Sequence, residues 1–242
     1  MTDDRRAMQF GTLPGDIRAV CDLLSQQYQM SNLGNKRNAL DELLYIILSL
    51  RTHELGYSES YRRFKARFPS WTLAATASED DIRDAIKPGG LAVQKAAHIK
   101  QALILIQAEF GEVSLRRLRQ MEKADAMRFL LRLPGVGVKT AKCILMFSLG
   151  FEVLPVDTHV ARVCNRLGWL GRGARPKAHE AIEKLIPPEL RRRFHVACVM
   201  HGRAICRGNH PRCDICCLAK LCPKIGINGL RKPSKTHGSS IR

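Results

Sequence analysis

The chain of 242 residues is short of acidic side chains. Its 22 Asp and Glu stand against 40 Lys and Arg, which leaves a formal net charge of +18. An excess of this size indicates a polyanionic partner, and nucleic acid is the first candidate. On charge alone, a generally basic surface or a ribosome-associated protein remains an alternative, so the motifs must decide.

Long hydrophobic runs are also missing. The longest apolar stretch, Leu43–Leu50, is far shorter than the roughly 20 residues that a membrane-spanning helix needs. The first ten residues carry charges but no apolar segment or cleavage site of a signal peptide. We therefore expect a cytoplasmic protein, associated with the nucleoid if the source is bacterial, with no membrane partner.

Runs that alternate apolar and polar residues are absent as well, which argues against a sheet. Helical periodicity recurs along the chain instead, and it predicts an all-α fold. A first helix follows the start signal at Pro14–Asp16. Further helices are expected near 38–52, 57–67, 70–76, 78–86, 92–110, 114–120, 123–132, 138–150, 157–168, 176–186 and 188–205.

Two proline-glycine breaks interrupt this array, at 87–90 and at Leu133–Gly137. In the second break, glycines allow close backbone approaches, and the free N–H groups of a helix beginning near Val138 face the same way. This arrangement suits a DNA phosphate. A G-x-G turn by itself is at least as typical of an ordinary helix-helix connection. The candidate phosphate-binding residues are Gly135, Val136, Gly137 and Thr140.

Lys139 and Asp157 are the candidate catalytic residues. Lys139 lies in the first turn after the break, and a lysine amine there can attack a sugar C1′ carbon and form a Schiff base. Its simpler role would be a phosphate contact. Asp157 is placed to cap the next helix, and its carboxylate can also stabilise positive charge on a sugar as a base departs.

Five of the nine cysteines are crowded between Cys206 and Cys222, a spacing that indicates metal rather than disulfides. Four sulfur ligands fit either zinc or a [4Fe-4S] cluster. Zinc sites more often pair two C-x2-C units across a longer spacer, so the cluster is favoured. Cys217 breaks the spacing and is interpreted as a spare thiol. The predicted ligands are Cys206, Cys213, Cys216 and Cys222.

Together these residues resemble the endonuclease III branch of the helix-hairpin-helix DNA glycosylases, from about Leu40 to Lys224. The resemblance rests on LPGVGVKTA, VDTHVARVCNRLGW, MHGRAIC and the C-x6-C-x2-C-x5-C loop. It implies a two-lobed all-α fold with an iron-sulfur loop and DNA lying across the cleft. The expected lobes are 36–150, with the hairpin, and 12–35 plus 151–225, followed by a flexible basic tail at 226–242.

The resemblance also implies an activity. A monomer would bind duplex DNA containing a damaged base or an abasic site, excise the base and cleave the strand by β-elimination. Lys139 would be the Schiff-base nucleophile and Asp157 the catalytic carboxylate. A [4Fe-4S] cluster would be the cofactor, and an oxidised pyrimidine the first candidate substrate. Leu91 matches the wedge that fills the gap left by a flipped nucleotide.

Two departures leave alternatives open. Arg51, in the run 49–54, replaces the glutamine of close relatives of endonuclease III, so the tolerated opposite base can differ. The segment Val113–Leu131 is longer than in the best-known members and is more similar to that of plant DNA-demethylating glycosylases. The other candidates are a monofunctional glycosylase, a structure-specific DNA-binding protein with weak catalysis, and a zinc-stabilised binding module.

Overall fold

The computed structural model of the chain describes residues 17–31, 33–170 and 178–227. The described part is helical and contains no β-strand, which confirms the predicted all-α class. Its helices include none long and apolar enough to cross a membrane. The start signal at 14–16, the beginning of the helix expected at 176–186 and nearly all of the tail expected at 226–242 lie outside the described residues.

The α-helices of the described residues follow the predicted order. We number them in chain order: α1 (Ile17–Gln27), α2 (Ala39–Ser49), α3 (Glu54–Arg67), α4 (Trp71–Thr76), α5 (Glu79–Ile86), α6 (Ala92–Phe110), α7 (Lys123–Arg132), α8 (Val138–Cys143), α9 (Thr158–Arg166), α10 (Ala178–Leu185) and α11 (Arg191–Ala204).

Three segments differ in type from the α-helices expected there. Arg116–Gln120, within the helix expected at 114–120, is a 3₁₀ helix, and so is Pro188–Leu190 ahead of α11. The helix expected at 138–150 changes to π-helical geometry at Ile144–Leu149. The proline-glycine break at 87–90 contains a 3₁₀ turn, Lys87–Gly89. Short or wide helical turns such as these leave no distinct periodicity in a sequence.

Side-chain caps explain where several helices begin. Asn38 Oδ1 accepts from the N–H groups of Leu40 and Asp41, at 2.9 and 3.2 Å, at the start of α2. Ser70 and Ser78 cap α4 and α5 in the same way. Each cap satisfies donors that the helix itself leaves free, which typically contributes about 1 kcal/mol.

The helices pack in two sets of neighbours. α2 contacts α3, α6 and the π-helical segment, while α5 packs against α3 and α6, and α7 against α8. α11 packs against α1 and α9. The N-terminal helix therefore meets the C-terminal part of the chain, although the lobe boundaries remain a prediction.

The core is dense with large apolar side chains. Trp169, Phe64 and Phe194 are almost completely buried, and the rings of Trp169 and Phe194 stack with 5.9 Å between centroids. Burying a large apolar side chain contributes about 1.5–3 kcal/mol. Cys21, Cys143, Cys164 and Cys198 are buried in this core, as their apolar surroundings in the sequence indicated.

Candidate active site and nucleic-acid interface

The turn between α7 and α8 is a tight glycine hairpin. Val136 N–H donates to Leu133 O over 3.1 Å, and Gly135 has a φ of +76°. A Cβ at Gly135 would lie only 2.9 Å from His98 Nδ1, so glycine is required by both conformation and space. The backbones of Gly135 and Gly137 are exposed at the surface.

Two predicted DNA contacts in this region are restricted to the backbone. The side chains of Val136 and Thr140 are buried, at 8% and 5% exposure. Their side chains therefore belong to the packing of the hairpin. At position 140 the main-chain N–H in the first turn of α8 can therefore face a phosphate, whereas the N–H of Val136 is already donated to Leu133 O.

Lys139 and Asp157 come from different elements. Lys139 is half-buried on α8, one helical turn before the buried Cys143. Asp157 is the N-cap of α9, where its Oδ1 accepts from the N–H groups of His159 and Val160, at 2.9 and 2.8 Å. The cap uses Oδ1, and the second carboxylate oxygen is not engaged by the helix.

The electrostatics of Cys143 show that these two groups share one neighbourhood. Burial raises the pKa of the Cys143 thiol to about 11. The charge and hydrogen bond of Lys139 lower this pKa, whereas Glu42 and Asp157 raise it. The candidate nucleophile and the candidate carboxylate therefore both lie near enough to this buried thiol to shift its pKa.

Sequence reasoning missed two buried polar residues behind this site. Glu42 on α2 is fully buried, and it accepts hydrogen bonds from Asn35 Nδ2 and, over 2.6 Å, from the N–H of Lys36. Burial raises the pKa of Glu42, and these two bonds and the charge of Lys139 lower it. The only signal in the sequence was a pair of acidic residues, Asp41 and Glu42, at the start of an otherwise apolar helix.

His195 on α11 is the second missed residue. It is 3% exposed, and its Nδ1 donates to Pro155 O over 2.9 Å. Burial lowers the pKa of His195, while the charge of Asp157 raises it and that of Lys139 lowers it. The imidazole therefore fixes the backbone at Pro155, two residues before the cap Asp157.

Arg51 and Leu91 lie on two separate loops. Both have left-handed backbone conformations, with φ of 51° and 52°. Both side chains are exposed, Leu91 to 48%. Non-glycine residues adopt this conformation rarely, and it is concentrated at functional sites.

The four predicted cysteine ligands line a single cavity, open to solvent, between α9 and the C-terminal loop. Cys217, the thiol interpreted as spare, does not line it. Arg166 closes one side: its Nη1 donates to Cys206 Sγ at 3.1 Å and to Arg207 O at 2.7 Å. Among the described residues no three His, Cys, Asp or Glu side chains converge closely enough for a single metal ion.

Comparison with known sequences identifies the class. The sequence profile of the HhH-GPD superfamily, base excision DNA repair proteins, matches residues 45–188, which is more than half of the chain. The matched range includes the hairpin, Lys139 and Asp157. The chain therefore belongs to the HhH-GPD superfamily, and within it the chain is endonuclease III-like.

Individual relatives agree with this placement. A protein of Arabidopsis thaliana, provisionally named a DNA glycosylase, is 36% identical over 78% of this chain and 64% of its own length. This chain thus spans less than two thirds of that relative. Endonuclease III of Thermotoga maritima is 33% identical, over 74% of this chain and 80% of its own.

Solved structures share the fold. A structure of a non-covalent complex of endonuclease III with DNA superposes with a TM-score of 0.72 at 25% identity. The match covers 86% of this chain and 94% of that one. The helix-hairpin-helix architecture expected from the resemblance is thereby confirmed.

Proposed function

We propose that this protein is a base-excision DNA glycosylase with AP lyase activity. The observation that carries the proposal is that Lys139, in the first turn of α8, directly follows an exposed glycine hairpin, while Asp157 at the start of α9 is near enough to influence the same buried thiol, Cys143. The hairpin would hold a DNA phosphate, and the flipped nucleotide would lie next to both side chains. The superfamily match supports the glycosylase class.

The two side chains would divide the reaction. The C1′–N bond breaks, the base leaves with the bonding electrons, and the positive charge on the sugar is stabilised by Asp157. The amine of Lys139 then forms a bond to C1′ and gives up a proton to Asp157. The C1′–O4′ bond breaks as O4′ takes up that proton, which leaves a protonated Schiff base. Loss of a C2′ proton and departure of the 3′ phosphate complete the β-elimination.

The substrate is proposed to be duplex DNA containing a modified base, with an oxidised pyrimidine as the first candidate. The likeness to endonuclease III supports this choice. Arg51 replaces the glutamine of close relatives, and we expect it to change which opposite base is tolerated. A panel of duplexes, each with one oxidised, alkylated or mismatched base, identifies the substrate by which base is released.

We propose a [4Fe-4S] cluster held by Cys206, Cys213, Cys216 and Cys222. A single zinc ion needs its four sulfurs within about 2.3 Å of one point, whereas a cluster occupies the space between them. The shared cavity, which excludes Cys217, favours the second arrangement. When bound, the cluster would contribute folding free energy by joining four distant positions of the loop.

Borohydride trapping on a duplex with one abasic site tests the lyase mechanism. The wild type should form a covalent adduct, and Lys139→Ala should form none, because the Schiff base needs the amine. Lys123→Ala, which removes an exposed lysine on α7, is the matched control and should trap normally. Base release without any wild-type adduct would instead indicate a monofunctional glycosylase, and binding without either would indicate a DNA-binding protein.

A further inference from the structure

Two loops that carry predicted DNA-inserting residues lie next to each other. The 50–53 loop joins α2 to α3 and contains Arg51, and the 87–91 loop joins α5 to α6 and ends at Leu91. Each of these two residues is held in a left-handed conformation. Such conformations cost on the order of 1–3 kcal/mol each and persist only where the surroundings fix them.

The buried side chain of Lys95, on α6, contacts both loops. The side chain is only 2% exposed, and its Nζ donates to Leu48 O at 2.6 Å, to Thr52 Oγ1 at 2.5 Å and to Gly89 O at 3.2 Å. Leu48 lies in the last turn of α2, Thr52 lies in the 50–53 loop, and Gly89 lies in the 87–91 loop. The three donors of the ammonium are therefore used on the end of α2 and on both loops.

A second bond joins the loops directly. Thr52 Oγ1 lies 2.6 Å from Gly89 O and donates to it, while the same oxygen accepts from Lys95. The 87–91 loop also packs tightly on α3, since a Cβ at Gly89 would lie 2.7 Å from Ser60 Oγ. Neither loop can shift far without breaking a bond to the other.

Packing alone does not explain a lysine here. Burial lowers the pKa of Lys95, and none of its three acceptors is a carboxylate that would compensate the charge. An apolar side chain would fill the same space at a lower cost in desolvation. It could not hold one oxygen atom of α2 and one of each loop at fixed positions.

We propose that Lys95 is a positioning residue that joins the 50–53 and 87–91 loops into one rigid unit, so that Arg51 and Leu91 enter the duplex together. The proposal rests on the proposed function, because it assumes that these two side chains fill the gap left by a flipped nucleotide. Lys95 itself touches no DNA in this scheme. It acts through the backbone of the loops.

The test is a binding experiment on an uncleavable substrate. A duplex containing a tetrahydrofuran abasic analogue, with 2-aminopurine opposite, reports insertion as a rise in fluorescence. Titrations compare wild type, Lys95→Met, Leu91→Ala and the double variant, and an undamaged duplex is the reference. Melting temperatures establish that each variant is folded, and Thr52→Val provides an isosteric second variant if Lys95→Met is not.

Lys95→Met should lower the affinity for the analogue duplex by about tenfold, the effect of losing one charged hydrogen bond, and should reduce the fluorescence rise. Affinity for undamaged duplex should stay unchanged, because it depends on phosphate contacts. In a protein that already carries Leu91→Ala, adding Lys95→Met should lower the affinity for the analogue duplex little further, since the two residues act as a unit.

Three results would each overturn the proposal. Lys95→Met could weaken binding to both duplexes equally, it could leave the affinity for the analogue duplex unchanged, or its effect on affinity could be additive with that of Leu91→Ala. Failure of the lyase mechanism would be seen separately, as a missing wild-type adduct in borohydride trapping. The analogue is not cleaved, so its binding is measured whatever the role of Lys139.

Discussion

The glycine hairpin and the cysteine loop are stabilised by different forces. The hairpin is set into the core, with Leu133, Val136 and Ala141 buried beside it. In the loop from Cys206 to Cys222, Leu218 is buried, while all the cysteines are only half-buried. The hairpin can thus form from the packing of the chain itself, whereas the loop has little core of its own and is held by hydrogen bonds from Arg166; the proposed cluster would add to them.

The largest predicted effect is on the cysteine loop. Cys213→Ser should abolish iron binding and the brown colour of the purified protein and should reduce its solubility, because ligand binding and folding of the loop are coupled. Iron content and absorbance measure this. Cys217→Ser is the matched control, since Cys217 does not line the cavity. This variant should keep its iron content and its colour. A soluble Cys213→Ser protein with full iron would refute the ligand assignment.

A change at the active site should have the opposite profile, with activity lost and the fold kept. Asp157→Asn retains an oxygen for the cap of α9 but removes the charge, so single-turnover base release should fall by about 10²-fold or more. Its melting temperature should hardly change. Asp157→Ala should lose, in addition, about 1 kcal/mol of stability with the cap. Equal activity of Asp157→Asn and wild type would show that the residue is a cap alone.

The hairpin itself should be sensitive to shape. Gly135→Ala places a Cβ against His98 in a left-handed backbone, and we expect a loss of about 1–2 kcal/mol in the free energy of unfolding, with weaker duplex binding. Gly137 has a φ of −95° and open space at its Cβ position, so Gly137→Ala should be much milder. Chemical denaturation compares the two, and similar losses would contradict the role of the Gly135 conformation.

The smallest effect is expected at Arg51. Arg51→Gln should leave iron content and strand cleavage at an abasic site within about threefold of wild type, since the exposed side chain takes no part in the chemistry. The rates of base release, measured with each of the four bases opposite the lesion, should change in rank order. An unchanged order would mean that Arg51 contributes only basic surface charge.

Most of the helical array was predictable, because apolar periodicity and capping residues such as Asn38, Ser78 and Asp157 act locally. The change to π geometry at Ile144–Leu149 was not, since the segment is apolar except for Ser148 and both helix types would bury it. The 3₁₀ helix at Arg116–Gln120 is short and arginine-rich, with too few residues to reveal a period.

The candidate site was predictable only in part. Lys139 and the cysteines follow from motif and spacing, and their roles remain predictions. The left-handed backbones of Arg51 and Leu91, and the buried positions of Glu42 and Lys95, arise where distant segments meet. The sequence pattern does not reveal such tertiary contacts, because each of these residue types alone is ordinary for a surface helix.

The most direct test of the central claim is to locate the covalent bond. Wild-type protein is trapped with borohydride on an abasic duplex, digested with nuclease and protease, and sequenced by mass spectrometry. We predict that the reduced sugar remnant is attached to Lys139. A remnant on any other lysine or on the N-terminal amine, with Lys139 unmodified, would contradict it.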